Sequence, residues 1–149
     1  MPILELETFL PYRLSRVAEL ISREFREIYD PQFDLTVPEW RVLAALGQKS
    51  TMTATQIGEH VWLHKTKVSR AVQALDTRRW LTRREARDRR AEELSLTAAG
   101  RSAYNAIVPR AQAFDNILTA RLGISRNEFL AALTSLEQQG PARRRRRKK

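Results

Sequence analysis

The sequence predicts a mostly α-helical protein with six helices and one short two-stranded β-hairpin. Apolar residues recur at three- and four-residue steps along most of the chain, which is the periodicity of amphipathic helices. Residues 81–86 and 92–96 instead alternate roughly in polarity on either side of a charged turn, as hairpin strands do. The chain has 149 residues, of which 42% are hydrophobic, and this composition suits a single domain over residues 1–140.

The first two helices are predicted from apolar periodicity and from local capping signals. The first helix should run from about residue 5 to Tyr29, with Pro31 just beyond its end. Thr36 and Glu39 form a capping box at the start of the second helix, and Gly47 is expected to close it.

The next two helices form a helix-turn-helix unit. Thr53 and Gln56 make a capping box for a short helix, in which Gly58 leaves room for another helix to approach. After a turn at residues 62 and 63, residues 64–79 form an amphipathic helix. Its apolar face consists of Val68, Ala71, Val72 and Leu75. With the hairpin as a wing, residues 36–97 are predicted to be a winged helix-turn-helix.

Two further helices follow the wing. Thr97 caps a long helix that should end near Gly123, and Pro109 should kink this helix because proline has no amide hydrogen. Ser125 and Glu128 form a capping box for the last helix.

The helical segments at the two ends of the chain, residues 5–30 and 98–139, are expected to form a dimerisation region. They hold more apolar surface than the small winged unit can cover. A two-fold interface with a second copy would bury this surface, so we expect a homodimer.

The charge distribution favours a polyanionic partner. Seven arginines lie between Arg78 and Arg90 beside only two acids. Five arginines and two lysines at positions 143–149 supply seven of the ten net positive charges, so residues 141–149 should be a disordered basic tail. Three roles for the tail stay open: DNA association, solubility and RNA binding.

Other classes of function are disfavoured by the composition. Cysteine is absent, which excludes thiol redox sensing and thiolate metal sites. The five glycines form no phosphate loop, and neither His60 nor His64 has a convincing nucleophile and acid beside it, so we expect no enzyme activity, cofactor or metal. No apolar run has membrane-spanning length and the first residues do not resemble a signal peptide, which predicts a cytoplasmic protein without a membrane partner.

Three motifs resemble those of the MarR family of winged helix-turn-helix regulators. They are the stretch His64 to Arg70, the wing motif Asp88-x-Arg90 followed by Leu96-Thr97, and Gly100 three residues later. The resemblance covers roughly residues 5–139. It implies a transcriptional repressor that binds a pseudo-palindromic double-stranded DNA operator.

Two tryptophans depart from this family pattern. Trp62 and Trp80 stand where family members often have glycine. A left-handed backbone would strain tryptophan at either position. Either these turns use another backbone conformation, or the rings serve in packing or contact.

The polar face of the predicted recognition helix should enter the major groove, since the start of such a helix meets base edges there. The candidate DNA contacts are Lys65, Thr66, Lys67, Ser69, Arg70 and Gln73. Arg70 is the best candidate for a guanine contact. The alternative is a merely solvated helix face.

The wing should contact the minor groove through Arg90, because narrow grooves attract guanidinium groups. The resemblance implies that Asp88 positions Arg90 through a charge-assisted pair. The wing's phosphate contacts are expected from Arg87 and Arg89, and from Arg83 and Arg84 where they face outward. The alternative is a surface cluster of ion pairs.

A signal site would combine aromatic faces with cations. The resemblance implies an effector such as a phenol, an aromatic acid or its coenzyme A thioester, bound near the dimer helices. The candidate residues are Tyr12, Arg16, Trp40, Arg41, Arg110 and Phe114. The alternative is that Trp40 and Phe114 belong to the core, while the arginines are solvated or paired.

The function expected from these observations is a ligand-released transcriptional repressor that responds to a small aromatic compound. The alternative is a non-specific architectural nucleic-acid-binding protein, since basic charge alone does not guarantee that a sequence is recognised.

Overall fold

The computed structural model describes residues 1–87 and 91–139. These ranges contain six helices and three strands, which confirms the predicted mostly helical fold with a small β-wing. The elements are α1 (Leu10–Phe33), α2 (Val37–Lys49), β1 (Thr51–Thr53), α3 (Ala54–His60), α4 (Lys65–Thr77), β2 (Leu81–Glu85), β3 (Glu92–Leu96), α5 (Ala98–Ala120) and α6 (Arg126–Gln139).

The chain divides into two compact units, residues 1–111 and residues from 112 onward. The first unit holds a hydrophobic core to which α2, α3 and α4 contribute most side chains. The four residues predicted for the apolar face of α4 all belong to it: Val68, Ala71, Val72 and Leu75. The second unit contains the end of α5, a turn at Gly123 and α6.

The hairpin is part of a three-stranded antiparallel sheet with the order β1-β3-β2. Strands β2 and β3 form the predicted hairpin, and they pair from Leu81 opposite Leu96 to Glu85 opposite Glu92. Strand β1 was not predicted, because three residues are too few to show an alternating pattern. Its Met52 lies opposite Leu94 of β3, and both side chains are buried.

Helix α1 lies further along the chain than predicted. It begins at Leu10 because Pro11 has no amide hydrogen to donate to the Glu7 carbonyl, and that carbonyl instead accepts a hydrogen bond of 2.9 Å from Arg13. The prediction that Pro31 lies beyond the helix was wrong, since α1 continues to Phe33. Phe33 packs against the core, and this tertiary packing outweighs the one hydrogen bond that Pro31 cannot make.

The prediction that Gly47 closes α2 was wrong. The helix continues to Lys49, and the Ser50 amide donates to the Leu46 carbonyl at 3.0 Å. A Cβ atom at Gly47 would overlap the ring of Tyr104 on α5. Glycine at this position therefore allows α5 to approach α2 closely.

The predicted capping boxes at Thr36, Thr53 and Ser125 are all present. Thr97 caps α5, since its hydroxyl oxygen accepts a hydrogen bond of 3.1 Å from the Gly100 amide. Within the described ranges, no helix is both long and apolar enough to cross a membrane.

Candidate nucleic-acid interface

Helices α3 and α4 form the predicted helix-turn-helix. A Cβ atom at Gly58 of α3 would lie 3.3 Å from Val68 Cγ2 of α4 and 3.1 Å from the Leu63 carbonyl oxygen. Gly58 thus permits the close approach that the sequence suggested. Because Val68 and Leu75 are buried at this contact and in the core below it, the orientation of α4 is fixed.

The opposite face of α4 is exposed and basic. All six of its predicted DNA contacts have exposed side chains: Lys65, Thr66, Lys67, Ser69, Arg70 and Gln73. Within the described residues, none of the three cations on this face pairs with an acid. This face therefore presents unneutralised positive charge and several hydrogen-bond donors to solvent.

Non-glycine residues with left-handed backbones lie on both sides of α4. After α3, Trp62 has a φ of 55°, and the Leu63 amide donates to the Gly58 carbonyl at 3.1 Å. After α4, Arg79 has a φ of 57°. A hydrogen bond from an amide to the carbonyl five residues earlier, such as that from Leu63 to Gly58, is part of the Schellman motif. Glycine is the usual left-handed residue in this motif.

The backbone conformations at the two tryptophans differ. Trp62 does adopt the left-handed conformation, and 68% of its surface is exposed. At the second turn Arg79 adopts this conformation, whereas Trp80 does not. The half-buried Trp80 ring packs 6.2 Å from the Phe33 ring, and its amide donates to the Leu75 carbonyl.

Arg83 attaches the wing to the recognition helix. Its guanidinium lies 3.2 Å from the Asp76 carboxylate on α4 and 2.8 Å from that of Glu92 on β3. The hydrogen bond to Glu92 is the largest cause of a raised pKa at Arg83, and Asp76 adds to it. Since both acids neutralise Arg83, this arrangement disfavours the phosphate contact that the sequence suggested for it.

Arg78 connects the recognition helix to α1. Its guanidinium donates to the carbonyl oxygens of Phe33 and Asp34, both at 2.7 Å, and lies 5.3 Å from the centre of the Trp80 ring. In the sequence, Arg78 is recognisable only as one arginine of a basic patch. No local signal could identify acceptors that lie 44 and 45 residues away.

The described part of the wing ends in exposed arginines. Arg84 on β2 and Arg87 after it are both exposed, and the Ala86 amide donates to the Ala91 carbonyl at 3.0 Å. The other predicted wing contacts lie outside the described residues. They are Asp88, Arg89 and Arg90.

The proposed effector residues have different environments. Tyr12 and Arg16 are exposed on α1. Trp40 is half-buried, with its ring 5.6 Å from Phe25 and 5.8 Å from Tyr29.

The three remaining effector candidates also differ in exposure. Arg110 donates to the Ile28 carbonyl at 3.3 Å and to the Gln32 side chain at 2.6 Å. Arg41 is partly buried, and Phe114 is buried. The ring contacts of Trp40 and the hydrogen bonds of Arg110 give these two residues structural roles in the first unit.

Comparisons with known proteins agree with this arrangement. A sequence profile of the MarR family matches residues 33–91. The uncharacterised helix-turn-helix-type transcriptional regulator YwoH of Bacillus subtilis strain 168 is 27% identical over 111 residues, which are 74% of this chain and 80% of that protein.

Solved structures have the same fold. A MarR family transcriptional regulator from Silicibacter pomeroyi DSS-3 is 27% identical, with a TM-score of 0.77 over 91% of this chain and 98% of that one. BpsR of Bordetella bronchiseptica, whose DNA binding is regulated by 6-hydroxynicotinic acid, is 20% identical, with a TM-score of 0.79 over 95% of this chain and 99% of that one.

Proposed function

We propose that this chain, which is similar to the MarR family of DNA-binding transcriptional regulators, is a repressor that binds a pseudo-palindromic operator as a homodimer. The exposed polar face of α4 is the single observation that supports this most strongly. A small aromatic effector would release the protein from DNA.

The dimensions and chemistry of α4 suit the major groove. An α-helix with its side chains is about 10–12 Å wide, and the groove is about 12 Å wide. Arg70 would donate two hydrogen bonds to guanine, while Lys65 and Lys67 would neutralise phosphates. The buried contacts of Val68 and Leu75 hold this face outward, so α4 would not need to reorient on binding.

The wing would add contacts in the adjacent minor groove. Arg83 attaches β2 to α4 and to β3, which fixes the base of the hairpin relative to the recognition helix. Arg90 would enter the groove with Asp88 as its positioning partner, while phosphate contacts would come from Arg84, Arg87 and Arg89.

A second copy would cover the exposed apolar residues of α1. Leu10, Leu14 and Val17 are between 40% and 60% exposed, and they recur at helical spacing on one face. In the second unit, Ile117, Leu130 and Leu136 are similarly exposed. Two copies would place two recognition helices about one helical turn of DNA apart, roughly 34 Å.

An aromatic acid is the proposed class of effector, with an aromatic acyl thioester of coenzyme A as the variant. The fold shared with BpsR supports this class. Arg16 lies one helical turn after Tyr12, so the two exposed side chains offer a ring and a cation on the same face of α1. Arg110 and Trp40 are weaker candidates because both already have partners within the fold.

The test is binding to the duplex immediately upstream of the protein's own gene, measured by fluorescence anisotropy in about 0.15 M salt. We expect binding that survives excess scrambled duplex and is lost on Arg70→Ala. Arg23→Ala is the matched control, because Arg23 is an exposed arginine on α1, away from α4, and its side chain pairs with Glu19. Binding that scrambled duplex removes would instead favour the architectural alternative.

A further inference from the structure

Arg78 ends the recognition helix and also binds the end of α1. It is the C-cap residue of α4, and its guanidinium donates hydrogen bonds of 2.7 Å to the carbonyl oxygens of Phe33 and Asp34. We propose that Arg78 sets the angle between α1 and α4 and thereby selects the spacing of the two operator half-sites. This inference rests on the proposed homodimer, and it adds a specificity determinant that acts without contacting DNA.

The contact restricts orientation as well as distance. A guanidinium is a rigid planar fork, so it donates to two consecutive carbonyls only within a narrow range of orientations. Phe33 is the last residue of α1, where the carbonyl oxygens have no donor within the helix. The positive charge of Arg78 also lies at the negative end of the α1 dipole. Arg78 therefore acts as a cap for α1 that α4 supplies.

The Trp80 ring contacts both partners. Its centre lies 5.3 Å from the guanidinium carbon of Arg78, and the Phe33 ring packs 6.2 Å away in an edge-to-face arrangement. The Asp34 carboxylate contributes little, because its side chain is 93% exposed and lies 4.0 Å from the guanidinium. The backbone carbonyls, rather than this carboxylate, are the acceptors on which the contact depends.

Helix α1 is long, and burial within its unit is confined to its second half. Residues 10–20 are all exposed, and partly buried residues begin at Ile21. Pro31 removes one backbone hydrogen bond near the end that Arg78 holds. The 24 residues of α1 span about 36 Å, so a tilt of about 10° at the C-terminal end would move the N-terminal end by about 6 Å.

The exposed half of α1 is the part that a second copy would cover in the proposed dimer. A displacement of about 6 Å there exceeds the rise of DNA, which is about 3.4 Å per base pair. A changed angle between α1 and α4 would therefore shift the two recognition helices relative to half-sites that are a fixed number of base pairs apart. Arg78 thus acts on operator choice through the geometry of the dimer.

The experiment compares operators that differ only in the number of base pairs between the half-sites. Dissociation constants are measured for the operator and for duplexes with one base pair inserted or removed at its centre. Each change moves one half-site by about 3.4 Å and turns it by about 35° around the DNA axis, so the wild type should lose roughly tenfold in affinity. Arg78→Ala should bind all three duplexes within about threefold of one another.

Two control variants separate the angle of α1 from other effects. Arg83→Ala is the matched control, because Arg83 has similar side-chain exposure, 36% against 31% for Arg78, but its partners lie on α4 and β3. It should bind every duplex more weakly and keep the wild-type preference for spacing. Asp34→Asn keeps the backbone carbonyl and should behave like the wild type.

Melting temperature and sedimentation show whether each variant is folded and dimeric. If Arg78→Ala does not fold, Arg78→Lys takes its place, because lysine lacks the planar fork, and it should lose part of the spacing preference. A folded, dimeric variant with the full wild-type preference refutes the inference while the proposed function stands, and a monomeric variant assigns Arg78 to dimer formation instead. A wild type that binds no operator refutes the proposed function as well.

Discussion

Arg83 on β2 and Asp76 in the last turn of α4 form an ion pair with an Nη2 to Oδ2 distance of 3.2 Å. The same guanidinium pairs with Glu92 on β3. A single side chain thus joins both strands of the wing to the helix proposed to recognise DNA. The distance between the wing and α4 would therefore depend on Arg83.

Arg83→Ala should reduce operator affinity by positioning rather than by charge. Both Arg83 and Asp76 are about one-third exposed, so solvent screening limits the loss of folding stability to about 0.5–1 kcal/mol. Asp76→Ala removes a negative charge near the proposed DNA interface, yet it should also weaken binding severalfold, because it releases the same guanidinium. Tighter binding by Asp76→Ala would contradict the positioning role, and anisotropy titrations of both variants provide the measurement.

Arg78 and Arg79 are adjacent in sequence but should respond oppositely to substitution. Arg78→Ala removes two hydrogen bonds of 2.7 Å to the carbonyls of Phe33 and Asp34, and we expect a loss of about 2 kcal/mol in the free energy of unfolding. Arg79→Gly relieves a φ of 57° at an exposed position and should raise stability by about 1 kcal/mol. Urea denaturation measures both, and two changes of the same sign would contradict these roles.

Gly47 and Gly100 should tolerate alanine to different degrees. A Cβ atom at Gly100 would overlap the Trp80 carbonyl oxygen, which belongs to the backbone between α4 and β2. At Gly47 it would overlap the Tyr104 ring, which can shift. Gly100→Ala should therefore lower the unfolding free energy more, by about 3 kcal/mol or beyond.

A second substitution tests the explanation at Gly47. Tyr104→Leu removes the ring that a Cβ atom would meet, so it should restore part of the stability lost in Gly47→Ala. No coupling between the two substitutions in a double-mutant cycle would show that ring contact is not the cause.

The cap of α6 should contribute to stability in a pH-dependent way. The Ser125 hydroxyl donates to Glu128 at 2.6 Å, and this hydrogen bond lowers the pKa of Glu128, with the Ser125 amide as a further cause. A lowered pKa stabilises the fold above the ordinary glutamate value, and this contribution disappears as pH falls through the lowered pKa.

Glu128→Gln should therefore flatten the acid side of the stability profile, measured as melting temperature between about pH 3 and pH 7. Glu137→Gln is the matched control, since Glu137 is an exposed glutamate on the same helix. Identical profiles for both variants would contradict a specific role for the cap.

Local signals predicted most helix starts, whereas distant contacts determined the features that the sequence did not reveal. The capping boxes at Thr36, Thr53 and Ser125 depend on residues three apart, so the sequence contains all of the information needed. Gly47 was misinterpreted because the feature that requires glycine, the Tyr104 ring, lies 57 positions away. The pairing of Arg83 and the hydrogen bonds of Arg78 were hidden for the same reason.

The candidate interface was predictable to a similar extent. Apolar periodicity was sufficient to separate the buried and exposed faces of α4, and the structure confirms that separation. It could not show that Trp62 would keep a left-handed backbone, because that conformation depends on the whole turn between α3 and α4. The contacts of α4 and of the wing with DNA stay predictions.

Hydroxyl-radical footprinting on the operator duplex tests the central claim most directly. A homodimer with α4 in the major groove should protect two segments related by two-fold symmetry, centred about one helical turn apart, roughly 10 base pairs. Arg70→Ala should remove both segments together. A single unsymmetrical footprint, or uniform protection along the duplex, would contradict sequence-specific recognition by a dimer.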